Sequence, residues 1–93
     1  MKQFDYTIKD PVGIHARPAG VLAKAVKPFA STCKITKGEK SAELKKLMAV
    51  MGMGIKCGDT VTVTIEGADE DTAFETLQTL FKENLLYPNQ ILP

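Results

Sequence analysis

The chain is predicted to fold as a two-layer α+β sandwich, a four-stranded antiparallel sheet with helices on one face and water on the other. Three observations predict it. Four short segments alternate apolar and polar residues with a period of two. Two longer segments carry apolar residues at helical spacing. The order is strand, helix, strand, strand, helix, strand, helix, with no repeat or low-complexity linker between elements. A chain of 93 residues is long enough for one small core and short of two.

Phe4, Tyr6 and Ile8 alternate with Gln3, Asp5 and Thr7, so the first strand buries one face and ends at Asp10-Pro11. Gly13 marks a tight backbone approach. Ala19, Leu22, Ala23 and Val26 then define a helix over about Ala16 to Lys27, with Pro18 suited to its first turn and Pro28 stopping it. Cys33 and Ile35 alternate with Thr32, Lys34 and Thr36 in a second strand. Lys37-Gly38-Glu39-Lys40 is a turn, and Ser41 to Leu44 returns as a hairpin. Leu47 to Met53 forms a short apolar helix closed by Gly52 and Gly54. After the Cys57-Gly58-Asp59 turn, Val61, Val63 and Ile65 face inward while Thr60, Thr62, Thr64 and Glu66 face outward. Asp69 is placed to cap the last helix, with Glu70 and Asp71 favourable in its first turn. Its inward stripe is Ala73, Phe74, Leu77, Leu80, Phe81 and Asn84/Leu85.

Composition excludes several classes of function. A net charge of +1 argues against a nucleic-acid binder, which needs a broad basic face. No apolar run reaches the length of a membrane span, and Met1-Lys2-Gln3-Phe4-Asp5 is no signal peptide. Membrane insertion is therefore not expected. Cys33 and Cys57 form no CxxC or metal pattern, so both read as reduced thiols of a cytoplasmic protein, with neither metal nor cofactor implied.

The chemistry gathers in Gly13-Ile14-His15-Ala16-Arg17-Pro18-Ala19, which holds the only histidine of the chain. The apolar spacing that follows sets His15 at a helix N-terminus, where free backbone N–H groups and the positive end of the helix dipole attract phosphate. The same field disfavours imidazolium and keeps the ring nucleophilic. Arg17 adds a planar fork able to grip two phosphate oxygens. Nucleophile, anion cradle and cation within five residues point to a histidine that accepts a phosphoryl group.

Three blocks in order carry a family resemblance. They are Gly13 to Ala19, Leu44-Lys45-Lys46-Leu47-Met48-Ala49-Val50-Met51-Gly52-Met53-Gly54-Ile55, and Ile65-Glu66-Gly67-Ala68-Asp69-Glu70-Asp71. On them the chain resembles the HPr family, the histidine-containing phosphocarriers of the bacterial phosphoenolpyruvate:sugar phosphotransferase system. The likeness spans about residues 2 to 85, making 1–85 the domain and 86–93 a C-terminal tail. It implies an open-faced β-sandwich that takes a phosphoryl group from phosphorylated enzyme I and delivers it to sugar-specific IIA domains. It implies phosphorylation of His15, through Nδ1 in the family, with Arg17 as its phosphate-side partner. The carrier would be a stoichiometric intermediate rather than an enzyme, and a monomer. An alternative is a regulatory paralogue that uses the same phosphohistidine to control partner proteins, transcription factors or metabolic enzymes among them, without sugar transport, its partners then including regulatory proteins.

The second block reads physically as a docking surface. So short an apolar helix cannot bury every face, which leaves Leu47, Met48 and Met51 as a patch while Val50 enters the core. Unbranched, polarizable methionine suits a surface that meets several partners. The resemblance assigns this block, Gly54 included, to contact with enzyme I and IIA proteins, and Lys24, Lys27, Lys45 and Lys46 would ring the patch. Two residues depart from the family pattern. Lys46 stands where many relatives carry the serine modified by a regulatory kinase, and Val12 replaces a small polar residue.

Overall fold

The computed structural model describes residues 1–9, 13–14 and 16–82, with Ala16 and Arg17 described by their backbone. The expected turn at Asp10-Pro11, the departure at Val12, His15 itself, the Asn84/Leu85 end of the last helical stripe and the 86–93 tail lie outside those residues. The elements run β1 (Lys2–Thr7), α1 (Ala16–Val26), β2 (Thr32–Lys37), β3 (Lys40–Glu43), α2 (Leu47–Met51), β4 (Thr60–Glu66) and α3 (Glu70–Lys82). The strands form one antiparallel sheet in the order β1-β4-β2-β3. The predicted element order and architecture are both observed.

Alternation sets the two faces. Val61, Val63 and Ile65 on β4 are fully buried and stand opposite Tyr6, Phe4 and Lys2 of β1 in register. Ile35 pairs with Val63 and Cys33 with Ile65, so the inward residues of β2 continue the same apolar layer. One residue of slip would turn this whole layer to water, which fixes the register. The outer face is hydroxyl-rich: Thr7 bonds Thr60 between Oγ1 atoms at 2.9 Å, and Thr62 Oγ1 donates to Asp5 at 2.7 Å.

The helices close the core from one side. Ala19, Leu22 and Val26 of α1 and Ala73, Leu77 and Phe81 of α3 are buried against the sheet at the spacing the sequence predicts. Phe81 meets Phe4 and Tyr6 with ring centroids 5.7 and 5.3 Å apart, tying α3 to the edge strand β1. Pro18 is buried in the first turn of α1, and the helix stops at Val26, ahead of Pro28.

Two local expectations change. The short helix α2 ends at Met51 rather than Met53, with Gly52 as a right-handed cap at φ −68°. The left-handed residue is Gly54, at φ +65°, and Met53 turns back into the core between them. Asp69 does not spend its carboxylate on its own helix. That carboxylate accepts the backbone N–H groups of Ala30 and Ser31, both at 2.9 Å, and the Ser31 hydroxyl. The start of α3 is closed instead by Glu70, whose Oε1 accepts the Gly67 N–H at 3.2 Å, half of a capping box.

Candidate functional site

The backbone on the N-terminal side of His15 is fastened to the loop of residues 54–59. Ile14 is buried, and its N–H donates to the Ile55 carbonyl at 3.0 Å. Gly13 has φ +79°, and a Cβ there would lie 2.3 Å from the Ile55 oxygen and 2.7 Å from the Lys56 Cα. Only glycine fits so close an approach of two backbones. The tight approach expected at Gly13 is thus made to this loop.

On the C-terminal side, α1 begins at Ala16 and runs for 11 residues. No acidic side chain occupies its first turn, so nothing there offsets the positive end of the dipole. Arg17 is the second residue of this helix.

The 54–59 loop is itself held at three places. Ile8, just past β1, donates to the Asp59 carbonyl at 2.9 Å and accepts from the Gly58 N–H at 2.8 Å. The Asp59 carboxylate accepts the Lys56 N–H at 2.8 Å. Lys37, the last residue of β2, reaches the same carboxylate at 2.7 Å and the Gly54 carbonyl at 3.1 Å. The Lys37 ammonium and the Lys56 N–H together hold the Asp59 carboxyl below the usual carboxylate range. Sequence reading gives Lys37 and Asp59 only as turn residues. The pairing joins distant parts of the chain, and local patterning carries no signal for it.

The α2 surface is more finely divided than its composition suggests. Met48 is 76% exposed, Leu47 36%, and Val50 is fully buried. Met51 is half-buried and packs against the core, so it offers only part of its side chain. Gly54 is exposed, with open space where a side chain would stand. Helices α1 and α2 pack against each other, which brings this surface beside α1. Lys24, Lys27 and Lys45 line an open groove with Ala23. Lys46 pairs with Glu43 at 3.5 Å.

Neither thiol is in a disulfide. Burial raises the pKa of Cys33, and Cys57 is exposed. Among the described residues no group of three or more His, Cys, Asp or Glu side chains is placed to hold a metal ion.

Comparison with known proteins gives this arrangement a family. The family model described as the PTS HPr component phosphorylation site matches residues 2–83. The chain belongs to the HPr family. A phosphocarrier protein HPr from Lysinibacillus sphaericus is 48% identical over 83 residues, covering 89% of this chain and 94% of that one. The solved structure of a Mycoplasma histidine-containing phosphocarrier protein superposes with a TM-score of 0.86 at 40% identity, covering 91% of this chain and 97% of the other. A multiphosphoryl transfer protein of Xanthomonas campestris is 31% identical over 77 residues, covering 83% of this chain and 9% of that longer one. This HPr-family chain is a phosphocarrier of the phosphotransferase system. None of its described helices is long and apolar enough to cross a membrane.

Proposed function

We propose that His15 carries the phosphoryl group, that Arg17 steadies it, and that the group arrives from phosphorylated enzyme I and leaves to sugar-specific IIA domains. One observation supports this above the rest: a single residue, His15, separates the pinned Gly13-Ile14 backbone from the first residue of α1. That is the place where a helix N-terminus receives an anion. In the transfer, a ring nitrogen lone pair forms a bond to phosphorus as the phosphorus bond to enzyme I breaks. The reverse exchange regenerates neutral imidazole on delivery. The positive end of α1 favours the phosphoryl oxygens and disfavours imidazolium, so it assists both acceptance and storage. Arg17, two residues on in the first turn of α1, offers donors in a fork that matches phosphate geometry.

Leu47 and Met48, with Gly54 and the exposed part of Met51, serve as the docking surface shared by donor and acceptors. Lys24, Lys27 and Lys45 border it with positive charge that suits acidic partners. Consumed and regenerated in each cycle, the protein acts as a carrier in the cytoplasm and lowers no barrier for a bound substrate.

The test is incubation with phosphoenolpyruvate and enzyme I, followed by mapping of the phosphate. The expected product is an acid-labile phosphate on His15 that passes to an added IIA domain and is absent from His15→Ala. Phosphate on a serine or threonine, with His15 unmodified, overturns the proposal.

A further inference from the structure

The connection that carries His15 runs from the end of β1 to the start of α1, and both of its flanks are hydrogen-bonded to one loop. Ile8 exchanges two backbone bonds with Gly58 and Asp59, and Ile14 donates one to Ile55. The span of that loop therefore sets the separation of the two flanks. Lys37 lies across it, holding Gly54 at one end and Asp59 at the other from a single ammonium nitrogen.

We infer that Lys37 is a positioning residue for phosphoryl transfer, acting with Asp59 as a clamp that fixes the 54–59 loop and, through Ile55, the backbone that presents His15. The inference rests on the proposed role of His15. An isolated surface ion pair contributes little, because water competes for both charges and long side chains lose entropy. This one differs in geometry. Lys37 and Asp59 are each about a third exposed or less, at 32% and 28%. The Asp59 carboxylate is also fixed by the Lys56 N–H, and the lysine is anchored at the end of a strand in the middle of the sheet. The clamp thus ties a mobile type of element, a loop, to a rigid one. Transfer between two proteins needs the nucleophile within a few tenths of an ångström of its attack position, and small misplacements are costly.

Lys37→Met keeps the unbranched stem and removes the ammonium. In the unphosphorylated variant, amide exchange at Ile14 and Gly58 is expected to quicken by about tenfold, while Val63 in the core keeps the parent's protection. With enzyme I and phosphoenolpyruvate, turnover at saturating carrier is expected to fall by roughly tenfold with KM unchanged. Lys37→Arg is expected to recover most of that loss. Asp59→Asn, which keeps the shape but not the charge, should move the same readouts in the same direction and serves if Lys37→Met fails to fold. Parent-like exchange at Ile14 overturns the clamp. A rise in KM alone makes Lys37 a docking residue, and equal loss of protection at Val63 makes it merely structural; either result overturns the positioning role. If the parent takes no phosphate on His15, the proposed function fails, while the exchange at Ile14 still decides whether Lys37 holds the loop.

Discussion

Met48 and Met51 are chemically identical and three positions apart, yet the fold gives them different work. Met48 stands 76% exposed, whereas Met51 packs partly into the core. The consequence is a contrast that composition could not supply, since a helix of five residues is too short for an apolar stripe to stand out. Met48→Asp is expected to weaken binding to enzyme I while the unfolding free energy, read by urea titration, stays within roughly 0.5 kcal/mol of the parent. Met51→Asp sets a carboxylate against apolar neighbours and is expected to cost roughly 0.5–3 kcal/mol. Equal losses of stability in the two variants would return Met48 to the core. At this scale the sequence reveals the residue types of the proposed site, with His15, Arg17 and the methionines all conspicuous. It conceals which side chain faces water, because that depends on where a neighbouring element stops.

At the scale of the element, α2 shows how a helix survives without a cap. Lys46 occupies the N-cap position with an extended backbone, φ −102° and ψ 90°, and its side chain makes no capping bond. A serine there would satisfy one of the free N–H groups of the first turn, whereas lysine brings positive charge to the positive end of the dipole. The ion pair to Glu43, at 3.5 Å with both side chains exposed, offsets little of this. Lys46→Ser is therefore expected to stabilise the domain by about 0.5–2 kcal/mol, read from the urea midpoint at constant slope. A lower or unchanged midpoint would mean that the helix N-terminus is satisfied by other means. The start of α2 was legible in the sequence, where Lys46 precedes an apolar run. Its end was not. Two glycines stand two residues apart, and only the burial of Met53 between them decides that Gly52 stops the helix and Gly54 reverses the chain.

For the whole molecule, periodicity predicts the strands and helices well because each buries one face of a regular element, and that leaves its mark on neighbouring positions. The links between distant segments leave no such mark. Asp69 is the clearest case. Read locally it caps α3, but in the fold its carboxylate binds Ala30 and Ser31 and so joins the end of the α1–β2 loop to the start of α3. Gly67 packs so closely beside Ser31 that a Cβ there would meet the Ser31 Cα at 2.5 Å, and this brings the two segments within bonding range. The Ser31 hydroxyl and the two N–H groups hold the Asp69 carboxyl below its ordinary value of 3.8. A native pKa below the unfolded one means that the unfolded chain takes up the proton first. The junction therefore contributes its full stability above that ordinary value and loses it as pH falls through the lowered native one. Asp69→Asn replaces one acceptor oxygen with an NH2 group, which sets donor against donor at the loop. The variant is expected to melt below the parent at neutral pH, by a gap that holds down to about pH 5 and closes as pH falls through the native pKa of Asp69. Thermal melts of both proteins across that range check it, because every other carboxylate titrates in each and cancels in the difference. A gap that persists unchanged to about pH 2 would show that the carboxylate charge is not what joins the loop to α3.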